Sequence, residues 1–163
     1  RYSMCGARIG LLASKNEAFM SSAMRFAQAR LSPPTFEQIA AEAALETPVA
    51  YFKEVNVEYT KRRDYLIGRL NAMEGVFCPK PSGAFYCMAQ LPVENSDHFC
   101  QWMLESFDHD NNTVMMAPAG GFYTDSSLGA QQVRLAYVLD VHDLKIAMDA
   151  LEVGLQVYPY RLA

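Results

Sequence analysis

The stretch QVRLAYVLD, Gln132 to Asp140, decides how the rest of the chain is read. Val133, Leu135 and Tyr137 alternate with Arg134, Ala136 and Val138, the two-residue period of a strand with one face buried and one face open. Asp140 then stands where a side-chain oxygen can cap a helix, Val141 to about Tyr158, halted by Pro159. A strand with one apolar face, followed at once by a long helix, predicts a sheet covered by helices, an α+β arrangement.

Working back from this strand, APAGGFYTDSSLGAQ reads as loop, TVMMAP as a further strand and DHDNN as a polar turn. Ser96 to Phe107 has the pattern of a helix, and GVFCPKPSGAFYCMAQLP reads as two short strands broken by a Pro-Ser-Gly turn. Thr47-Pro48 opens a long helix reaching about Met73, with Phe52, Val55, Tyr59, Leu66, Leu70 and Met73 as its apolar stripe. Lys61, Arg62 and Arg63 within it are expected on a solvated face. Before Thr47, Ala7 to Ser14 reads as a short buried strand, and Ser14 with Glu17 as a capping box for a helix ending near Arg30. Pro33 and Pro34 suit the first turn of a second helix that runs on from Thr35 to about Leu45. One strand and two helices are too little to enclose a core. The expected division is therefore 1–46, the incomplete end of a larger domain, and 47–163, a smaller domain begun by a linking helix.

Composition narrows the function classes. Half of the 163 residues are hydrophobic, and the net charge is -4 with acids and bases interleaved. That leaves a nucleic-acid role without the basic patch it needs, and the apolar runs are too short to span a bilayer as a helix. Cys5, Cys78, Cys87 and Cys100 match neither a metal-binding spacing nor a disulfide framework, and read as reduced, buried thiols of a cytoplasmic protein. No metal ligand set is expected, and His98, His109 and His142 are given no role.

Two arginines stand out on chemistry. Arg8 sits between Gly6 and Gly10 in an apolar segment, and Arg134 is the one charge in VRLAYV. A guanidinium in such a place needs an anion or water, and its planar fork matches carboxylates and phosphates in two-point contacts. On pattern alone that anion is either an internal Asp or Glu or an outside ligand.

RYSMCGARIG, residues 1–10, resembles the second half of the lysine-site signature of class I/II (fold-type I) pyridoxal-phosphate aminotransferases. Ser3, Met4, Gly6, Arg8, Ile9 and Gly10 fall on the positions that follow the lysine. VRLAYVL is similar to the family's late arginine strand, RLSPPTFEQ to its helix–proline corner, and PSGAFYCMAQLP to the strand opening its small domain. TVMMAPAGGFY resembles its V-x-x-x-P-G-x-x-F segment, with Ala119 where glycine is usual.

The resemblance implies that the chain is the C-terminal part of such an enzyme, moving an amino group from an amino acid to a 2-oxo acid through a Schiff base of pyridoxal 5'-phosphate. The Schiff-base lysine would directly precede Arg1, so no residue of this chain is assigned a covalent role. Arg8 would hold the cofactor phosphate, Arg134 would clamp the substrate α-carboxylate, and Phe85 and Tyr86 would either line the substrate side or pack in the core. Ala27 occupies the place where some aspartate-specific relatives carry an arginine for the distal carboxylate. The intact protein is expected to be a cytoplasmic homodimer of amino-acid metabolism, and the chain by itself to be inactive and without bound cofactor. Other chemistry on the same scaffold (a β-lyase or decarboxylase) and a non-catalytic regulator domain are the alternatives.

Overall fold

A computed structural model describes residues 2–162. The chain forms two compact units that part between Val55 and Asn56, inside one long helix.

The first unit carries a 3-10 turn at Cys5–Ala7, helix α1 (Glu17–Ala29), helix α2 (Thr35–Ala44) and the opening of α3 (Val49–Ala72). Asn16 begins α1, its side-chain oxygen accepting the Phe19 N–H at 3.0 Å. The expected Ser14–Glu17 capping box is corrected: Ser14 instead accepts the Asn16 N–H at 3.1 Å and shapes the turn before the cap. Leu31, left-handed at φ 65°, ends the helix. Pro34 precedes α2 as its N-cap rather than sitting within its first turn.

The buried strand expected at Ala7–Ser14 does not form. Among the described residues this unit holds no strand to pair with it, so its backbone polar groups turn to water. No described residue of the unit is buried; Leu11, Phe26, Leu31 and Phe36 are each about four-fifths exposed or more, from 79% to 92%. Cys5 is likewise exposed, a correction to its reading as a buried thiol, whereas Cys78, Cys87 and Cys100 are free and buried.

The second unit contains the protein's core. Its sheet has strands β1 (Tyr86–Gln90), β2 (Ala117–Pro118) and β3 (Gln132–Ala136) in the order β1-β3-β2, both pairs antiparallel. Helices α4 (Ser96–Glu105) and α5 (Val141–Val157) and the later turns of α3 cover it. The alternation on β3 holds as expected: Val133, Leu135 and Tyr137 are buried while Arg134 and Ala136 lie on the other face. They join Leu66, Leu70 and Met73 of α3, Phe99 and Met103 of α4, and Leu144, Met148, Leu151 and Leu155 of α5 in one apolar cluster. Each fully buried aliphatic side chain contributes about 1.5–3 kcal/mol.

Asp140 caps α5, accepting the Asp143 N–H at 2.9 Å, as its position predicts. The second strand is shorter than TVMMAP, since only Ala117 and Pro118 pair with β3. Lys61 is solvated, but Arg62 and Arg63 are half-buried and engaged. Arg62 donates to Glu58 at 2.8 Å and to the Val138 carbonyl, and Arg63 donates to Asp64 at 2.8 Å. Among the described residues no helix is long and apolar enough to cross a membrane.

An ion-pair network ties α3 to α5. Arg69 reaches Asp149 at 2.8 Å and Glu152 at 3.0 Å, and Lys145 reaches Asp149 at 2.6 Å. Lys145 first, then Arg69, hold the Asp149 carboxyl below its ordinary value of 3.8. A carboxyl depressed in the folded state stabilises fully above its ordinary value and loses that contribution as pH falls through the folded value. Asp149→Asn is therefore expected to lower the urea midpoint at pH 7, with the gap to the parent closing on acidification below about pH 4. Leu70→Ala, which empties a fully buried site, is expected to cost about 2–5 kcal/mol in the same measurement at every pH.

Candidate functional site

Arg134 stands at the middle of the central strand, opposite Met88 on β1 and Ala117 on β2. With neighbours hydrogen-bonded on both sides, its Cα has little freedom, and the pleat sends its side chain away from the core. The guanidinium packs against two rings: its central carbon is 4.6 Å from the Tyr86 centroid and 4.7 Å from that of Phe122. Each contact of this kind contributes about 0.5–2 kcal/mol. The in-plane N–H edge is left unspent, for among the described residues Arg134 meets no carboxylate and no hydrogen-bond acceptor. A cation fixed by strand and rings, with its donor fork open, is arranged to take a carboxylate edge-on.

The loop that brings Phe122 here is built by backbone contacts. The Ala119 N–H donates to the Gln132 carbonyl at 2.9 Å, and the Phe122 N–H to the Ala119 carbonyl at 2.9 Å. Tyr123 donates its hydroxyl to Gln132 at 2.7 Å. Asp125 accepts the Ser127 N–H at 3.0 Å and so shapes the 3-10 turn Ser126–Gly129, which packs on the 3-10 turn Gly120–Phe122. Gly129 allows this approach, because a Cβ there would lie 2.6 Å from the Ala119 carbonyl carbon and oxygen.

Arg8, in the first unit, is exposed and left-handed at φ 51°, ψ 32°, directly after the turn Cys5–Ala7. Its guanidinium donates to the Cys5 carbonyl at 3.4 Å and meets no acid among the described residues. A right-handed turn followed by a left-handed residue points successive N–H groups into one concavity, an anion-binding arrangement. The Ile9 N–H meets no acceptor among the described residues. Ser3, also left-handed at φ 54°, opens the same segment, and its hydroxyl is hydrogen-bonded to that of Tyr51 at 2.6 Å. Left-handed non-glycine residues cost about 1–2 kcal/mol each.

Of the aromatic pair raised from sequence, Phe85 packs against the core and Tyr86 faces Arg134. Phe122 was not anticipated. Its signal lies in TVMMAPAGGFY, whose Phe122 becomes meaningful only when the loop folds back over β3. Ala27 lies on α1, where it offers no charge to a second carboxylate.

The family model "Aminotransferase class I and II" matches residues 1–151. An aspartate aminotransferase of Rhizobium meliloti (strain 1021) is 28% identical over 162 residues, covering 92% of this chain and 37% of the relative. Among solved structures, the aspartate aminotransferase of Thermotoga maritima superposes with a TM-score of 0.72 at 27% identity, over 94% of this chain and 37% of that one. The alanine aminotransferase of Pyrococcus furiosus gives a TM-score of 0.67 at 31% identity, over 85% and 35%. The chain thus spans little more than a third of the length of the curated relatives it matches.

Gly129→Ala tests whether the loop depends on this backbone contact. The added methyl collides with backbone rather than with a yielding side chain, so the variant is expected to lose about 1–3 kcal/mol in denaturant unfolding. Amide resonances of residues 119–123 should shift more than those of α5.

Proposed function

The chain belongs to the aminotransferase class I and II family, and from that membership we propose that it forms the C-terminal part of a pyridoxal-phosphate-dependent aminotransferase acting on an amino acid and a 2-oxo acid. One observation carries the reading: Arg134 stands on the central strand with the Tyr86 and Phe122 rings against its guanidinium and, among the described residues, no acid or hydrogen-bond acceptor on its side chain. In this reading Arg134 binds the substrate α-carboxylate and orients the Cα–H bond for proton removal. The Tyr86 and Phe122 rings exclude water from its faces, which strengthens the ion pair.

Arg8 suits the cofactor phosphate. An exposed guanidinium that pairs with no acid among the described residues, at a right-then-left-handed turn, suits a dianion, where a neutral ligand would leave the charge uncompensated. When bound, the cofactor supplies an electron sink for the substrate carbon. In the same reading the catalytic lysine would stand at the position before Arg1. The bare apolar surface of the first unit supports burial against further protein, and we propose a homodimer for the intact enzyme. A cytoplasmic location is proposed from the free buried thiols.

The test is made on the 163-residue chain and on the product of its complete reading frame. Borohydride reduction after incubation with pyridoxal phosphate is expected to leave no stoichiometric lysine adduct on the former and one on the latter. Arg134→Leu in the longer protein is expected to lower kcat/KM for the amino acid by a factor of about 100 or more while the cofactor stays bound. Unchanged kcat/KM removes the clamp from Arg134 and with it the proposal.

A further inference from the structure

Two thiols lie together in the core of the second unit and take no part in the arrangement around Arg134. Cys78 and Cys87 are free, 1% and 3% exposed, and both belong to the apolar cluster.

Backbone pairing brings them to one face. Phe77 forms an isolated antiparallel bridge with Gln90, its N–H donating to the Gln90 carbonyl at 3.0 Å and its carbonyl accepting the Gln90 N–H at 2.8 Å. Phe77 and Gln90 are exposed, so the neighbouring residues of each segment turn inward: Cys78 on one, Ala89 on the other. Cys87 shares the inward face of β1 with Ala89, two residues away, which makes it the diagonal neighbour of Cys78. The two cysteine side chains are hydrogen-bonded to each other. The Cys78 thiol also donates to the Pro79 carbonyl at 3.8 Å.

The two residues are held differently. Cys87 lies in the ladder, opposite Leu135. The Cys78 N–H instead donates to the Asn71 side-chain oxygen at 2.8 Å, and its carbonyl accepts the Asn71 side-chain amide at 2.9 Å. A residue bound through one side chain, rather than through a strand, can shift by the small distance that an S–S bond requires. The intervening loop is tied to α3 by Lys80 on Asp64 at 2.8 Å and by Arg63 on the Pro81 carbonyl at 3.4 Å, which keeps the pair together. The hydrogen bond with Cys87, against the effect of burial, holds the Cys78 thiol below its ordinary value; the same bond and then burial push Cys87 up. Cys78 is therefore the sulfur that reaches the nucleophilic thiolate form first.

We propose that Cys78 and Cys87 are a modification site, closing a reversible intrachain disulfide when the chain meets hydrogen peroxide. The Cys78 thiolate attacks one peroxide oxygen and the O–O bond breaks. Cys78 becomes a sulfenic acid, and the hydroxide released takes up the proton that the thiol gave, leaving as water. The Cys87 sulfur then attacks the Cys78 sulfur, the S–O bond breaks, and the departing hydroxide takes the Cys87 proton as a second water. The two thiols together lose two electrons and two protons, and the peroxide accepts both. Burial favours this product: an oxidant near the size of water enters on local opening, and the adjacent thiol meets the sulfenic acid before a second peroxide does.

The test is peptide mapping of the 163-residue chain carrying Cys5→Ser, which removes the exposed thiol that could link chains. The folded chain is treated with hydrogen peroxide, remaining thiols are alkylated in denaturant, and chymotrypsin cuts after Phe85 and Tyr86, between the two cysteines. The expected result is a Cys78 peptide joined to a Cys87 peptide, two hydrogens lighter than the separate pair and released by dithiothreitol, with Cys100 alkylated. In the same background Cys87→Ala should leave Cys78 as a sulfenic acid that dimedone traps, and Cys78→Ala should leave Cys87 as a thiol. Full alkylation of both cysteines in the Cys5→Ser chain, linkage of either one to Cys100, or sulfinic acid on Cys78 without the cross-link would each overturn the proposal. Dimedone on Cys87 in Cys78→Ala, with none on Cys78 in Cys87→Ala, would overturn the order of attack. The mapping of the Cys5→Ser chain decides the site even where an alanine variant fails to fold.

Discussion

The register of β3 against β1 is the constraint on which the second unit depends. With Met88 opposite Arg134, the inward set is Val133, Leu135 and Tyr137 and the outward set includes the charge. A one-residue slip would drive the guanidinium into a cluster that has no acid to receive it and would expose three large apolar side chains. The penalty for that exchange far exceeds any single hydrogen bond, so the charge in the strand enforces the pairing that the core requires. The same alternation delivers Arg134 to the open face, where Tyr86 arrives from the same pleat of β1 and Phe122 from the loop folded over β3.

Elements whose partners are close in the sequence, or whose pattern is self-sufficient, could be read before any coordinates. The β3 alternation, the Asp140 cap and the long helix through Leu66 and Leu70 are of this kind, since period and cap chemistry are local properties. Ala7–Ser14 has equally apolar composition, yet a strand is defined by its neighbour, and within the first unit none is available. The cap of α1 moved from Ser14 to Asn16 because both residue types satisfy the same N–H groups and only geometry chooses between them. The arginines were legible as charges out of place. What surrounds them was legible only in part: Tyr86 is a strand neighbour and could be foreseen, whereas Phe122 depends on a loop closure that Gly129 permits.

The two units differ in how their helices are sustained. α3, α4 and α5 bury side chains in a shared cluster, and Arg69 and Lys145 add charge pairing at its rim. α1 and α2 have 13 and 10 residues, lengths at which isolated helices are marginal in water, and no side chain of theirs is buried. Their apolar side chains are therefore left at the surface, where they add little to hold these helices.

Membership of the family fixes scaffold and cofactor class more firmly than substrate, since one fold hosts many reactions. The relatives named above act on aspartate and on alanine, substrates that share an α-carboxylate and differ in the side chain. A clamp on the shared group can be identical in both, which is why an open guanidinium fork such as that of Arg134 argues for an amino acid without saying which. Discrimination has to come from groups that meet the side chain, and a dicarboxylate demands a second cation. Ala27 supplies none at the place where some aspartate-specific relatives carry one. Within the second unit the flanks of Arg134 are aromatic rather than basic. In the proposed reading Arg134 would recognise the group that these substrates share, and its aromatic flanks would not tell one side chain from another.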